Sequence, residues 1–242
     1  MIQNVRKRLF RKLISRFFIP HIQFSYSQFG EDVIIAHLLS QVGITRPSYL
    51  DIGANEPKFI SNTFYFYERG ASGVLVEPNP YLFEKLMKSR PRDIVLNTGI
   101  GMNETTEADF YVFPNRANGL NTFSKAEAMH WQETGMKGLG KVAVEKVIKM
   151  PLTTINAIME KYFSQQSPNI LSIDVEGLDL EILKSLDFQR YNPEVICVET
   201  LQYDSQQKGH KNNDIINLMS TQQYEVYADT RVNTIFCKKS IL

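Results

Sequence analysis

The sequence predicts a doubly wound α/β fold: a mostly parallel sheet that ends in a C-terminal antiparallel hairpin. Three observations lead there. From residue 28 onward, short apolar runs alternate with stretches of helical periodicity, the pattern of a parallel sheet covered on both faces. A polar or acidic residue follows almost every apolar run. The last two extended segments are joined by a link too short for a parallel crossover, so they must pair antiparallel.

The N-terminal stretch stands apart. Residues 1–20 carry Arg6, Lys7, Arg8, Arg11, Lys12 and Arg16 and no acid. Ile2, Val5, Leu9, Leu13 and Phe17 recur at helical spacing among them, so residues 1–24 read as a basic amphipathic helix. Its expected roles are docking on the domain or on a second copy of the chain, or peripheral contact with an anionic membrane surface. Charges interrupt the apolar stretch, which argues against a signal peptide. No segment reaches the roughly 18 apolar residues of a membrane span.

Residues 25–242 read as one domain of ordinary globular composition, with 43% hydrophobic and 22% charged residues in the 242-residue chain. A net charge of +1 gives no nucleic-acid footprint. Cys197 and Cys237 each lie in an apolar run and read as core residues, so a reducing, cytoplasmic setting is expected.

The elements follow in order. Gln28–Gln41 has helical spacing, with His37 on the apolar face. Ser48–Ile52 is a buried strand ending at Gly53. Ile60–Arg69 reads as helix, Gly73–Glu77 as strand, Tyr81–Ser89 as helix and Ile94–Thr98 as strand. Ala108–Phe113 alternates and reads as a fourth strand. Residues 114–146, rich in Gly, Asn and Lys, read as an insertion or lid. Leu152–Tyr162 is helical, with Thr153 or Thr154 near its start. Asn169–Asp174 is a strand, Leu178–Leu186 a helix, Glu194–Glu199 a strand and Asn212–Ser220 a helix. Tyr224–Ala228 and Asn233–Lys238 form the closing hairpin.

Open α/β sheets bind ligands beyond the carboxyl ends of their strands. Those ends carry Asp51-Ile52-Gly53-Ala54-Asn55, Glu77-Pro78-Asn79, Asn97-Thr98-Gly99, Asp174-Val175-Glu176-Gly177 and Glu199. A dinucleotide site needs further glycines and tolerates no acid beside its pyrophosphate. Asp51 stands just before the Gly53 turn. It suits a ligand without phosphate that carries an ammonium and a sulfonium, such as S-adenosylmethionine. Glu77, at the tip of the second strand, suits a carboxylate that bonds ribose hydroxyls. The Asn97–Gly99 turn is a candidate adenine wall.

These blocks carry a family resemblance. Ser27-Gln28-Phe29-Gly30-Glu31-Asp32, Leu50-Asp51-Ile52-Gly53-Ala54-Asn55, Ser61-Asn62-Thr63, Val76-Glu77-Pro78-Asn79 and Ile173-Asp174-Val175-Glu176-Gly177 resemble the FkbM family of methyltransferases. The resemblance implies a class I methyltransferase fold, S-adenosylmethionine as donor, and a hydroxyl of a sugar or small metabolite as acceptor, in the setting of polysaccharide biosynthesis. It also implies that Gln28 packs over the cofactor mouth. Gln28, Asp51, Gly53, Ala54, Asn55, Asn62, Glu77, Pro78, Asn97 and Gly99 are therefore the expected donor-binding residues.

A sugar hydroxyl needs a base or a metal to react at neutral pH. Asp174, Glu176 and His210 are the catalytic candidates, with Asp174 or His210 as base. Asp174, Glu199 and His210 are an alternative ligand set for Mg²⁺. His130 and Trp131 are candidates for an acceptor platform. Two other readings stand beside this one: N- or carboxyl-methylation of a peptide or metabolite, and a catalytically silent scaffold.

Overall fold

The structure, a computed structural model, describes residues 23–102, 105–135, 140–164, 166–203 and 209–242. The expected basic helix at residues 1–24, with its membrane or dimer contact, falls almost wholly outside them.

In chain order the elements are α1 (Glu31–Gln41), β1 (Tyr49–Ile52), α2 (Phe64–Glu68), β2 (Gly73–Val76), α3 (Pro80–Ser89), β3 (Ile94–Leu96), β4 (Gly99–Ile100) and β5 (Glu107–Val112). Then come a 3₁₀ turn (Asn115–Leu120), α4 (Lys125–Thr134), β6 (Lys146–Thr153), α5 (Ile155–Phe163), β7 (Ile170–Ile173) and α6 (Asp179–Ser185). The chain closes with β8 (Val195–Glu199), β9 (Leu201–Tyr203), β10 (Gly209–Lys211), α7 (Asn213–Thr221), β11 (Tyr224–Asp229) and β12 (Asn233–Lys238).

The main sheet has seven strands in the order β11-β12-β8-β7-β1-β2-β3. β3, β2, β1, β7 and β8 run parallel, and β12 is antiparallel to both β8 and β11. The expected parallel sheet and closing hairpin are both present. Side chains alternate across the sheet. Leu50, Ile52, Leu171, Ile173, Ile196 and Val198 pack against α5, α6 and α7. Tyr49, Leu75, Ile170, Val195 and Cys197 pack against α1, α2 and α3. Each fully buried aliphatic side chain is worth about 1.5–3 kcal/mol, so these two layers fix the rim on which the site is built. Cys197 and Cys237 are buried and free, as core residues.

Local signals set the helix starts. Asn79 accepts from the Tyr81 amide ahead of Pro80, Thr154 from that of Ala157, and Asn212 from those of Asp214 and Ile215.

Four expectations change. The segment Ile60–Arg69 is helical only from Phe64, because residues 53–63 form a long loop. The alternating strand at Ala108–Phe113 exists but lies in a separate sheet, ordered β4-β6-β5. Its partner β6 runs from the last residue of the expected insertion, through residues 147–151, which the sequence assigns to no element, into the start of the expected helix. Residues 114–146 are not a bare loop. The 3₁₀ turn and α4 bring Ala117, Leu120 and Ala128 together with Phe113 and Val142 in a small core of their own. His37 is exposed and bonds Gln41 rather than the core.

Candidate active site

A cleft of about 800 Å³ opens at the carboxyl ends of β1, β2, β7 and β8. Its donor side is lined by Gln28, Gly53, Asn55, Glu77, Pro78 and Gly99. Gly53 has φ +84°, and a Cβ there would lie 1.8 Å from the Asp174 carbonyl oxygen. No other residue fits that position. The turn after β1 thus rests directly on the turn after β7.

Glu77 is nearly wholly buried, and its two carboxylate oxygens accept the amides of Asn55 and Asn79, each at 2.8 Å. Burial pushes its pKa up to about 7, against the lowering effect of those amides. Each oxygen keeps a lone pair for a further donor. Asn55 Oδ1 is buried and has no hydrogen-bond partner among the described residues. A buried acceptor without a donor is costly, and this one belongs to a residue lining the cleft. These groups fit the hydroxyls and ammonium of S-adenosylmethionine.

The opposite side of the cleft is acidic. Asp174, Glu176 and Glu199 each offer a carboxylate oxygen within 4.8 Å of the others. All three pKa values are raised, first by burial and then by neighbouring negative charge. Asp174 and Glu199 bring their carboxylates together from the ends of the neighbouring strands β7 and β8. Asp179, at the start of α6, accepts the amides of Val175 and Gly177 and so folds the turn that carries Glu176. Burial raises Asp179 to about 7. Thr122, beyond β5, donates to the Glu176 carbonyl at 3.0 Å. Glu127 of α4 fills the space beside Gly177. The 114–146 region therefore covers the acidic turn, and His130 and Trp131 of α4 line the cleft.

Several expected site residues are placed differently. Asp51 does not line the cleft. It shares its face of β1 with Tyr49, and its carboxylate accepts from the Thr63 hydroxyl at 2.6 Å. Ala54 is packed in the core, its amide bonding the Val76 carbonyl. Asn62 turns inward to Ser172 and Cys197. Asn97 braces the Glu77–Pro78 turn by donating to both carbonyls. His210 lines the cleft from β10, a strand that the polar sequence concealed, but it is not part of the carboxylate cluster. The convergent ligand-type set is thus Asp174, Glu176 and Glu199, in place of Asp174, Glu199 and His210. Asp179 and Thr122 are not marked by the sequence reading, whereas Thr63 belongs to the Ser61-Asn62-Thr63 block. The Gly177-x-Asp179 spacing was the available signal for Asp179.

A parallel sheet with an antiparallel end strand, a glycine turn after its first strand and buried carboxylates along one rim define a class I S-adenosylmethionine-dependent methyltransferase. Residues 51–226 match the methyltransferase FkbM domain, and the chain belongs to the FkbM methyltransferase family. No curated protein sequence matches the chain.

Among solved structures, it is similar to a TehB-like SAM-dependent methyltransferase from Corynebacterium glutamicum, at 10% identity and TM-score 0.42, over 98% of this chain and 97% of that one. It is also similar to magnesium protoporphyrin IX methyltransferase from Synechocystis, at 7% identity and TM-score 0.42, over 96% and 97%. The sugar N-methyltransferase KedS8 from Streptoalloteichus matches at 7% identity and TM-score 0.41, over 96% and 92%. These scores lie below 0.5, and the family assignment rests on the sequence match. Among the described residues no helix is long and apolar enough to cross a membrane.

Proposed function

We propose that the chain methylates a hydroxyl group of a sugar or another small polyhydroxylated molecule. The observation that carries this reading is the convergence of Asp174, Glu176 and Glu199 on the same cleft as Gly53, Asn55 and Glu77. The rest of the lining agrees with a sugar acceptor. Asn118, Asn121 and Gln202 supply amides, and Phe59 and Trp131 supply flat apolar faces.

S-adenosylmethionine supplies an electrophilic methyl group when bound. The chain's residues do the rest. Glu77 and Asn55 orient the nucleoside, while Gly53 lets the donor turn approach the transfer turn. Asp174 and Glu199 share a proton, so one of the pair is ionised and accepts the hydroxyl proton of the acceptor. Burial and the neighbouring negative charges raise the pKa of both carboxylates, which strengthens that base. Glu176 keeps the pair in a negative field, which favours retaining the shared proton and rejects anionic acceptors. His130, Trp131 and His210 are the proposed acceptor wall.

The test is a screen of neutral glycosides, amino sugars and uronates with methyl-labelled S-adenosylmethionine, with and without EDTA. Label on an oxygen of neutral glycosides, unaffected by EDTA, supports the reading. Label on nitrogen alone moves the chain to N-methylation. Activity abolished by EDTA and restored by Mg²⁺ makes the same carboxylates metal ligands, since a hard cation accepts such an oxygen set. No transfer to any acceptor, together with absent donor binding, favours the scaffold.

A further inference from the structure

We infer that Arg90 is a positioning residue for the donor half of the cleft, acting through Thr63 on Asp51 and on the 53–63 loop. The inference rests on the family assignment and not on the identity of the acceptor. It is tested without an acceptor, so its failure and that of the O-methylation reading are distinguishable.

Arg90 closes α3 and is completely buried. A guanidinium without water needs a partner for each N–H. Nε donates to Asp93 at 2.7 Å, Nη1 to Thr63 at 3.0 Å and to Ser61 at 3.4 Å, and Nη2 to Thr63 at 3.0 Å and to Tyr49 at 3.1 Å. Asp93 is fixed in turn by the Tyr49 hydroxyl at 2.7 Å and the Gly73 amide at 2.9 Å. Tyr49, Phe64 and Tyr67 present their rings to the guanidinium at 5.1–5.9 Å.

The Thr63 hydroxyl is the pivot. It accepts from both terminal nitrogens of Arg90, and its single proton goes to Asp51 at 2.6 Å. Burial raises the pKa of Asp51, and the Thr63 hydroxyl and the charge of Arg90 act against that rise, so these two groups hold its negative charge two residues before Gly53. That charge raises the pKa of both Glu77 and Asp174, so it is felt on both sides of the cleft. A cationic donor is favoured there.

The same contacts hold the loop. Ser61 and Thr63 end the 53–63 segment, which carries Asn55 at φ +48° and Ile60 at φ +54°. Left-handed backbone at non-glycine residues, above all at a β-branched one, persists only when the surroundings enforce it. Arg90 grips one end of this loop, and Glu77 grips the Asn55 amide near the other.

The experiment measures binding of S-adenosylmethionine and of uncharged S-adenosylhomocysteine by calorimetry, with thermal melts as the folding check. Thr63→Val keeps the shape but removes the pivot, and it should weaken S-adenosylmethionine about tenfold. Thr63→Ser, which restores the hydroxyl, should recover binding to within about threefold of the parent. Loss of S-adenosylmethionine beyond that of S-adenosylhomocysteine isolates the charge of Asp51. Parental affinity in Thr63→Val, or no recovery in a folded Thr63→Ser, overturns the inference. Should Thr63→Val not fold, Arg90→Lys decides: it keeps the buried charge and loses the two-pronged contact. Weakened donor binding in that variant supports the role, and parental binding refutes it.

Discussion

The two halves of the cleft solve the burial of carboxylates in opposite ways. On the donor side Glu77 receives two backbone amides, and Asp51 receives the Thr63 hydroxyl. On the opposite side Asp174, Glu176 and Glu199 face one another, with carboxylate oxygens within 4.8 Å. Satisfied carboxylates are fixed in place and serve as fittings. Carboxylates held against like charge keep protons near neutral pH and are suited to move them. In the function proposed above, the first half holds a ligand and the second changes one.

The largest expected effect falls on the second half. Asp174→Asn or Glu199→Gln should lower methyl transfer by about 10²–10⁴-fold, with donor affinity by calorimetry nearly unchanged. A comparable loss of donor affinity would erase the division between the halves. Next, Glu77→Ala should weaken S-adenosylmethionine binding by about 1–3 kcal/mol, the worth of hydrogen bonds to a charged group. Calorimetry checks this directly, and transfer at saturating donor should largely survive.

A third effect follows from the pKa of Glu77 near 7. Its ionised form is the one that accepts ribose hydroxyls, so donor affinity should rise between pH 6 and pH 8. Binding at pH 6.5 should release protons, detectable as a dependence of the calorimetric heat on the buffer. A flat profile would show that Glu77 is already ionised, or not in contact.

The smallest effect is on stability. Burial pushes Glu77 and Asp179 up to about 7 in the fold, above the ordinary carboxylate values of 4.5 and 3.8. The folded state therefore retains protons that the unfolded chain has lost, and stability declines as pH rises from those ordinary values to about 7, then levels. Glu176→Gln removes one of the crowded charges and should raise the melting temperature at pH 8 by about 2–4 °C for each kcal/mol recovered. The gain should shrink as pH falls, because the raised pKa values of the cluster favour its protonated forms.

The sequence revealed the parallel core well, because β1, β2, β7 and β8 are continuous apolar runs and each ends in a polar tip. It also located Gly53, Glu77, Asp174, Glu176 and Glu199, since the ends of parallel strands share one rim. It failed where polarity hides pairing. β9, β10 and much of β6 have mixed composition, and their partners come from distant or irregular segments. Side-chain direction was the other loss. Asp51 alternates with Leu50 and Ile52 and therefore lies on the Tyr49 face, which turns it toward Thr63 rather than into the cleft. Arg90 reads as a surface residue in Arg90-Pro91-Arg92-Asp93. Only the packing of α3 against Tyr49 and Thr63 makes it a buried one.

The contact between Gly53 and the Asp174 carbonyl has an evolutionary consequence. Even one methyl group at position 53 would act as a wedge between the two turns, so the gap across which the methyl group travels has no slack to drift. Accommodation of bulkier or slimmer acceptors must come from the opposite wall, to which Arg116–Phe123, His130, Trp131, Leu201, Gln202 and His210 contribute. Within this architecture the inner wall is held constant by sterics, while the outer wall is free to diversify.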